Sequence, residues 1–192
     1  MSTLKGKTYH HGDLRDAALK IGLEMLQEGA GDDIGLRALA RRIGVSANAL
    51  YRHFPNKEGL LAALSEAAAE KLAAAVSRAL GTAEGIVGIR AMGVAYVEFA
   101  INNPPLFRLL FKNAPPGNLL VGDIDSATGA VRILRQQIAE RWPEDTDPQQ
   151  IADATLRAWS LAHGLACLIL DRQIPYDLDR IKKTLGPMKL PR

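Results

Sequence analysis

Residues 36–54 read LRALARRIGVSANALYRHF, and this stretch contains what two short, tightly crossing helices require. A small residue must stand where the helices touch, and Ala40 supplies it. The turn between them needs a residue at ease with positive φ, which Gly44 provides. Apolar side chains must pin both helices to a neighbour, and Leu36, Leu39, Ile43, Val45, Leu50 and Phe54 have that spacing. Ser46 stands where the second helix needs an N-cap. Each feature is common alone, but all of them in register imply a helix-turn-helix. That geometry lays a recognition helix, here about residues 47–53, in the major groove of DNA.

If Leu50 and Phe54 face inward, Asn48 and Arg52 face away, flanked by Ala49 and Tyr51. An amide such as Asn48 can pair with adenine N6 and N7, and small alanines such as Ala47 and Ala49 permit close approach or touch a thymine methyl. Tyr51, His53 and Lys57 suit phosphate oxygens, and the start of the following helix adds free backbone N–H groups. Between residues 34 and 57 the chain carries Arg37, Arg41, Arg42, Arg52 and Lys57 and not one acid, on a protein whose net charge is only +3. A local cationic patch on a nearly neutral chain points to a polyanion bound at one place. Taken singly, these residues have plainer readings. A charge run is a solvated face, Tyr51 and Phe54 are core aromatics, His53 is a surface or cap histidine, and Arg41 and Arg42 are solvated. Only the constellation favours DNA.

Outward from this stretch the pattern is helical throughout, with abundant Ala and Leu and few β-branched runs. Residues 1–12, with Lys5, Lys7, His10 and His11, read as a basic arm. A first helix starts near Asp13 and shows Leu14, Ala17, Ala18, Ile21 and Met25 at helical spacing. Asn56 caps a long fourth helix over 57–80, and Gly81 closes it. A fifth helix runs from Thr82 to before Asn103, and a sixth covers 105–112 after Asn103 and Pro104. Residues 113–122 read as a loop and 123–142 as a seventh helix. An eighth helix (about 148–171) follows Asp147-Pro148, and a ninth spans about 177–185. The expected architecture is all-α: a DNA-binding domain over 13–80 that includes the long fourth helix, then a helical dimerisation and effector domain over 81–192.

Composition sets the outer limits. With 47% apolar and 23% charged residues the chain can bury a core. The single cysteine, Cys167, excludes an intramolecular disulfide and a Cys-based zinc module. No signal peptide is legible, and the apolar stretch at 161–170 is too short for a bilayer, so a cytoplasmic location without membrane is expected. No nucleophile–base motif, phosphate loop or acid cluster with metal spacing is present, so neither an enzyme nor a cofactor is expected. A helical adaptor that binds only protein is the competing class, and it leaves the acid-free stretch without a purpose.

The segments YHHGDLRDAAL (9–19) and GVSANALYRHFPNKEGLLAAL (44–64) resemble the TetR family of one-component bacterial regulators, with Gly-Val-Ser at the turn, then Leu-Tyr-x-His-Phe and Lys-Glu-x-Leu. The resemblance implies base-facing roles for Arg37, Ala47, Asn48 and Ala49, and phosphate contacts for Tyr51, His53 and Lys57. Many members carry Gly-Thr or another hydroxyl residue where this chain has Asn48-Ala49. That departure leaves the fold untouched but means no operator sequence carries over. Residues 157–170, RAWSLAHGLACLIL, resemble a C-terminal domain type marked by Trp, His and Gly in that order. Trp159 and His163 share a helix face, and Gly164 would let another helix come close. In such families the last two long helices pair across a two-fold axis. The resemblance therefore implies a homodimer through the eighth and ninth helices on a palindromic operator.

The family also implies an effector pocket in the C-terminal domain. Its candidates here are Tyr96, Phe99, Phe107, Phe111, Trp142, Trp159 and His163, any of which is alternatively core packing. A pocket of this composition suits a small apolar or aromatic molecule. His163 and Cys167 are four apart and have the look of half a metal site or a redox switch. No third ligand lies nearby, so a buried histidine and a buried thiol are the better reading.

Overall fold

The computed structural model describes residues 11–31, 34–81, 85–112 and 129–186. They form α1 (His11–Gln27), α2 (Leu36–Ile43), α3 (Ala47–Tyr51), α4 (Lys57–Leu80), α5 (Gly85–Asn102), α6 (Pro104–Lys112), α7 (Gly129–Ala139), α8 (Pro148–Leu170) and α9 (Leu178–Thr184). There is no strand among the described residues, and the fold is all-α. The chain divides into two compact units, Met1–Ala67 and Ala68–Arg192, with the division falling within α4.

In the first unit, α2 ends because Gly44 turns left-handed, at φ 83°, where a side chain would be strained. Its N–H returns to the Ala40 carbonyl at 2.9 Å, and the Val45 N–H reaches the same carbonyl at 3.0 Å. Ser46 then caps α3 by accepting the Ala49 N–H at 3.3 Å, a contact worth about 1 kcal/mol. Asn56 caps α4 in the same way, its Oδ1 accepting the Gly59 N–H at 2.7 Å. Leu36, Leu39, Ala40, Leu50 and Phe54 are buried, while Ile43 and Val45 are only half-buried. α1 brings Leu14, Ala18, Leu23 and Leu26 to this core, whereas Ala17, Ile21 and Met25 stay half-exposed. Gly22 lets α1 approach α4, since a Cβ there would stand 2.8 Å from Leu64 Cδ2. The Arg15 guanidinium lies 5.9 Å over the Phe54 ring, a cation–π contact that holds the aromatic in place.

In the second unit, α5 packs chiefly on α8, with α7, α6 and α9 also against it. It is the described helix long and apolar enough to cross a membrane by length and composition, a feature the shorter stretch at 161–170 does not have. Its Met92, Tyr96, Val97, Phe99 and Ala100 are buried against its neighbours. Asp147 caps α8 by accepting the Gln149 N–H at 2.9 Å, with Pro148 following it. Asp177 caps α9 through the Arg180 N–H at 3.0 Å.

Several expected boundaries shift. α1 already begins at His11, so the arm does not extend to residue 12 and Asp13 is not the cap; residues 1–10 lie outside the described residues. α3 stops at Tyr51 rather than near 53, because Arg52 and His53 close a turn in which the His53 and Phe54 N–H groups both return to the Leu50 carbonyl. α6 includes Pro104, which needs no N–H at a first helical position. α7 ends at Ala139, short of Trp142, where the backbone tightens into turns. The expected start of the fifth helix at Thr82, the 113–122 loop and the first part of the seventh helix lie outside the described residues.

Candidate nucleic-acid interface

With Leu50 and Phe54 at the base of the first unit, the opposite side of α3 is turned to solvent. Asn48, Arg52 and the capping Ser46 are exposed, and Ala47 and Ala49 are half-exposed between them. Tyr51 is 44% exposed and Phe54 only 2%, so the two aromatics divide: Phe54 is core and Tyr51 is not. His53 is half-buried, with Nε2 enclosed and its ring 6.4 Å from that of Phe54.

Beside this face lies a surface concavity of about 340 Å³ lined by Gly35, Leu36, Arg37, Arg41, Tyr51 and Lys57. The sequence therefore spreads over residues 37–57 what the fold gathers into one hollow: three cationic side chains and a phenol. Gly35 stands at the N-cap of α2 with no side chain to accept the first backbone N–H groups, which leaves that end of the helix open to an anion. Arg42 behaves differently from its neighbour Arg41. Its Nη2 donates to both carboxylate oxygens of Glu28, at 2.8 and 3.0 Å, and so ties the end of α2 to the end of α1. Taken singly Arg41 reads as a solvated side chain, and only the fold brings it to the same hollow as Arg37, Tyr51 and Lys57.

The second unit contains a different arrangement. Trp159 Nε1 donates to the Tyr96 hydroxyl at 3.3 Å, and that hydroxyl lies 2.9 Å from His163 Nδ1. His163 Nε2 is 3.5 Å from Cys167 Sγ. Burial pushes the Tyr96 hydroxyl far above its ordinary range; the Trp159 hydrogen bond offsets part of this, and the nearby Cys167 adds to it. Burial also lowers the His163 pKa. Cys167 is raised by burial and then by the Asp171 carboxylate. All three groups are therefore neutral near pH 7. The assignment that uses every polar hydrogen has Tyr96 donating to His163 Nδ1 and the remaining imidazole proton on Nε2, toward the thiol.

Of the seven effector candidates, Tyr96 and Trp159 line a partly open pocket of about 60 Å³ among α5, α7 and α8. The other five do not. Phe107 and Phe111 pack around His163 at ring-centroid distances of 5.5 and 4.5 Å, Phe99 is buried, and Trp142 packs on Ile138, Ala154 and Ala158. The space is walled mainly by aliphatic residues such as Ile89, Met92 and Leu134, which no search for aromatic or polar side chains would single out. Among the described residues no group of three or more His, Cys, Asp and Glu side chains is placed to hold a metal ion.

Residues 18–64 match the family described as bacterial regulatory proteins, tetR family. Residues 89–185 match the tetracyclin repressor-like C-terminal domain. The chain belongs to the TetR family. It is 36% identical over 106 residues to the nucleoid occlusion factor SlmA of Marinomonas sp. (strain MWYL1), covering 55% of this chain and 54% of that protein. It is 45% identical over 53 residues to the class C tetracycline repressor protein of Escherichia coli, covering 28% and 24%. The chain thus spans about half the length of the SlmA relatives it matches and less of the repressor. A protein of unknown function from Rhodococcus sp. RHA1 has a similar structure, with TM-score 0.72, 27% identity, and coverage of 93% of this chain and 94% of that one. The TetR family transcriptional regulator PfmR from Thermus thermophilus shares the fold at TM-score 0.53 and 20% identity, over 86% and 92% of the two chains.

Proposed function

We propose that this TetR-family protein is a transcriptional repressor that binds a palindromic operator as a homodimer and leaves it when a small apolar or aromatic effector binds. The part of the chain up to residue 80 acts on DNA, beginning with the basic arm before α1, and residues 81–192 serve dimerisation and effector binding. The setting is the cytoplasm, where the chromosome is accessible. The observation that carries this reading is the solvent-facing side of α3 beside the hollow of Arg37, Arg41, Lys57 and Tyr51. α3 enters the major groove, with Asn48 and Arg37 reading base edges and Ala47 and Ala49 allowing close approach. Ser46, Tyr51, Arg52, His53 and Lys57 hold the backbone, and His53 does so with only its outer edge because its Nε2 is enclosed.

Dimerisation through α8 and α9 is supported by an apolar strip on α8. Leu161 is 37% and Leu168 44% exposed, and Gly164 lies between them on the same helix face. A Cβ at Gly164 would meet nothing within 4 Å among the described residues. The close approach expected there is therefore not made by the described residues, and a second copy is the occupant that a self-complementary two-fold contact calls for. Effector release follows if the ligand prefers a dimer whose recognition helices no longer match successive major grooves.

The test is selection of bound duplex from a random pool, followed by binding at rising salt. Asn48→Ala should change the preferred base at one position, with discrimination falling by about 1–3 kcal/mol. Lys57→Ala should weaken all sequences alike and reduce the salt slope by about 1. Binding to random duplex without salt dependence, or equal loss of specific and random binding in Asn48→Ala, would count against the base-reading role. A chain acting only as a protein adaptor would bind no duplex at all.

A further inference from the structure

The space in the second unit is a pocket of about 60 Å³ that is open on one side. That is several times the roughly 10–15 Å³ that one water molecule needs, and a larger ligand would extend through its opening. Its walls are Ile86, Ile89 and Met92 of α5 and Leu134 and Ile138 of α7, with the small Ala162 of α8 leaving room opposite. Such walls take an apolar body. The polar groups that face it are few, and most are already engaged. The Trp159 N–H is given to the Tyr96 hydroxyl, and that hydroxyl is bonded to His163 as well. A neutral ligand seeking a hydrogen bond there would have to break this chain, and the low local dielectric makes such a broken bond costly.

Arg90 is the exception. It is the one charged side chain among the described residues that line the space. It stands on α5 between Ile86 and Ile89 on one side and Gly93 on the other, and it is both exposed and part of the lining, as expected of a residue at the opening. No ion pair or hydrogen bond engages it among the described residues. Among the described residues no carboxylate lines the space to repel an anion. An arginine fork with all its donors unspent matches a carboxylate.

We infer that the ligand of this cavity is a small organic anion with an apolar or aromatic body, its carboxylate held at Arg90 and its body lying against Ile89, Met92, Leu134 and Ile138. The inference narrows the effector class proposed above. It relies on that proposal only for the consequence on DNA, not for binding itself.

The test is calorimetric titration of the full chain with three probes that share one body: 4-phenylbutyrate, 4-phenylbutan-1-ol and 4-phenylbutylamine. The carboxylate should bind saturably and at least about tenfold more tightly than the alcohol, the usual size of one charge-assisted contact, and the amine should bind weakest. Arg90→Gln should erase the difference between carboxylate and alcohol while leaving alcohol binding unchanged. Ala130→Phe, which fills the space from α7, should remove both. If that variant does not fold, Arg90→Gln still decides, because it alters an exposed side chain. Equal affinity for carboxylate and alcohol, indifference to Arg90→Gln, or no saturable binding overturns the inference. If the carboxylate binds as expected but leaves operator affinity unchanged, the ligand class stands and the release mechanism falls.

Discussion

In Met1–Ala67 the polar side chains that matter (Arg37, Asn48, Tyr51 and Arg52) stand in solvent over an apolar support. In Ala68–Arg192 the side chains of Tyr96, Trp159, His163 and Cys167 are instead turned toward one another and linked by hydrogen bonds. The first arrangement keeps donors available for a charged partner, at little cost in stability. The second satisfies its polar groups internally, so it fixes the packing of α5 on α8 rather than offering hydrogen bonds to a ligand. Tyrosine, the type common to both, shows the difference: Tyr51 stands exposed and Tyr96 is buried and hydrogen-bonded. Burial and partner, rather than identity, separate a contact residue from a structural one.

The contrast should be sharpest for the two aromatics of the recognition region. Phe54→Ala empties a core position and is expected to cost about 3–5 kcal/mol in urea unfolding, with loss of DNA binding as the support of α3 gives way. Tyr51→Ala, three residues earlier and 44% exposed, is expected to stay within about 0.5 kcal/mol while reducing DNA affinity. Similar stability losses in the two variants would mean that Tyr51 is part of the core after all.

A smaller effect is expected inside the second unit. Tyr96→Phe keeps the ring and its edge contact with Phe107 at 5.6 Å but leaves the Trp159 N–H and His163 Nδ1 without their shared partner. Unfolding should become easier by about 1–3 kcal/mol. An unchanged unfolding free energy would show that the hydroxyl chain adds nothing to the packing.

The same chain has a pH signature. Burial holds the folded His163 pKa below its ordinary 6.5. Below pH 6.5 the unfolded chain therefore takes up a proton that the folded chain resists. The stability contributed by neutral His163 is complete above 6.5 and is lost as pH falls through the depressed folded value. The thermal midpoint should decline on acidification from about pH 7.5 to about pH 5, and less steeply in His163→Asn. Parallel curves for the two proteins would remove His163 from the account.

The smallest effect belongs to the exposed pair. Arg42 and Glu28 are each more than half exposed, at 53% and 55% of their side chains. A double-mutant cycle should give about 0–1 kcal/mol, shrinking with salt. A larger coupling would mean that the junction of α1 and α2 is held by charge rather than by its apolar core.

The sequence by itself determined the DNA-facing half, because its determinants are local. Gly44 at the turn, Ser46 and Asn56 as caps, and the inward spacing of Leu36, Leu39, Leu50 and Phe54 all act over three to five residues, and the helix period then dictates that Asn48 and Arg52 point outward. Even there, the end of α3 at Tyr51 and the gathering of Arg41 with Arg37 and Lys57 depended on how helices meet. The C-terminal unit was legible as helices and as a Trp-His pair on one face, but not as a site. Tyr96 lies 67 residues from His163 and 63 from Trp159, and only the packing of α5 on α8 makes them partners. The same packing, with α7 laid against both, sends Phe107 and Phe111 around His163 and leaves Arg90 at an aliphatic cavity. Helix spacing specifies which face a residue occupies, but the neighbour that face meets is chosen by long-range packing, and that choice belonged to the tertiary structure alone.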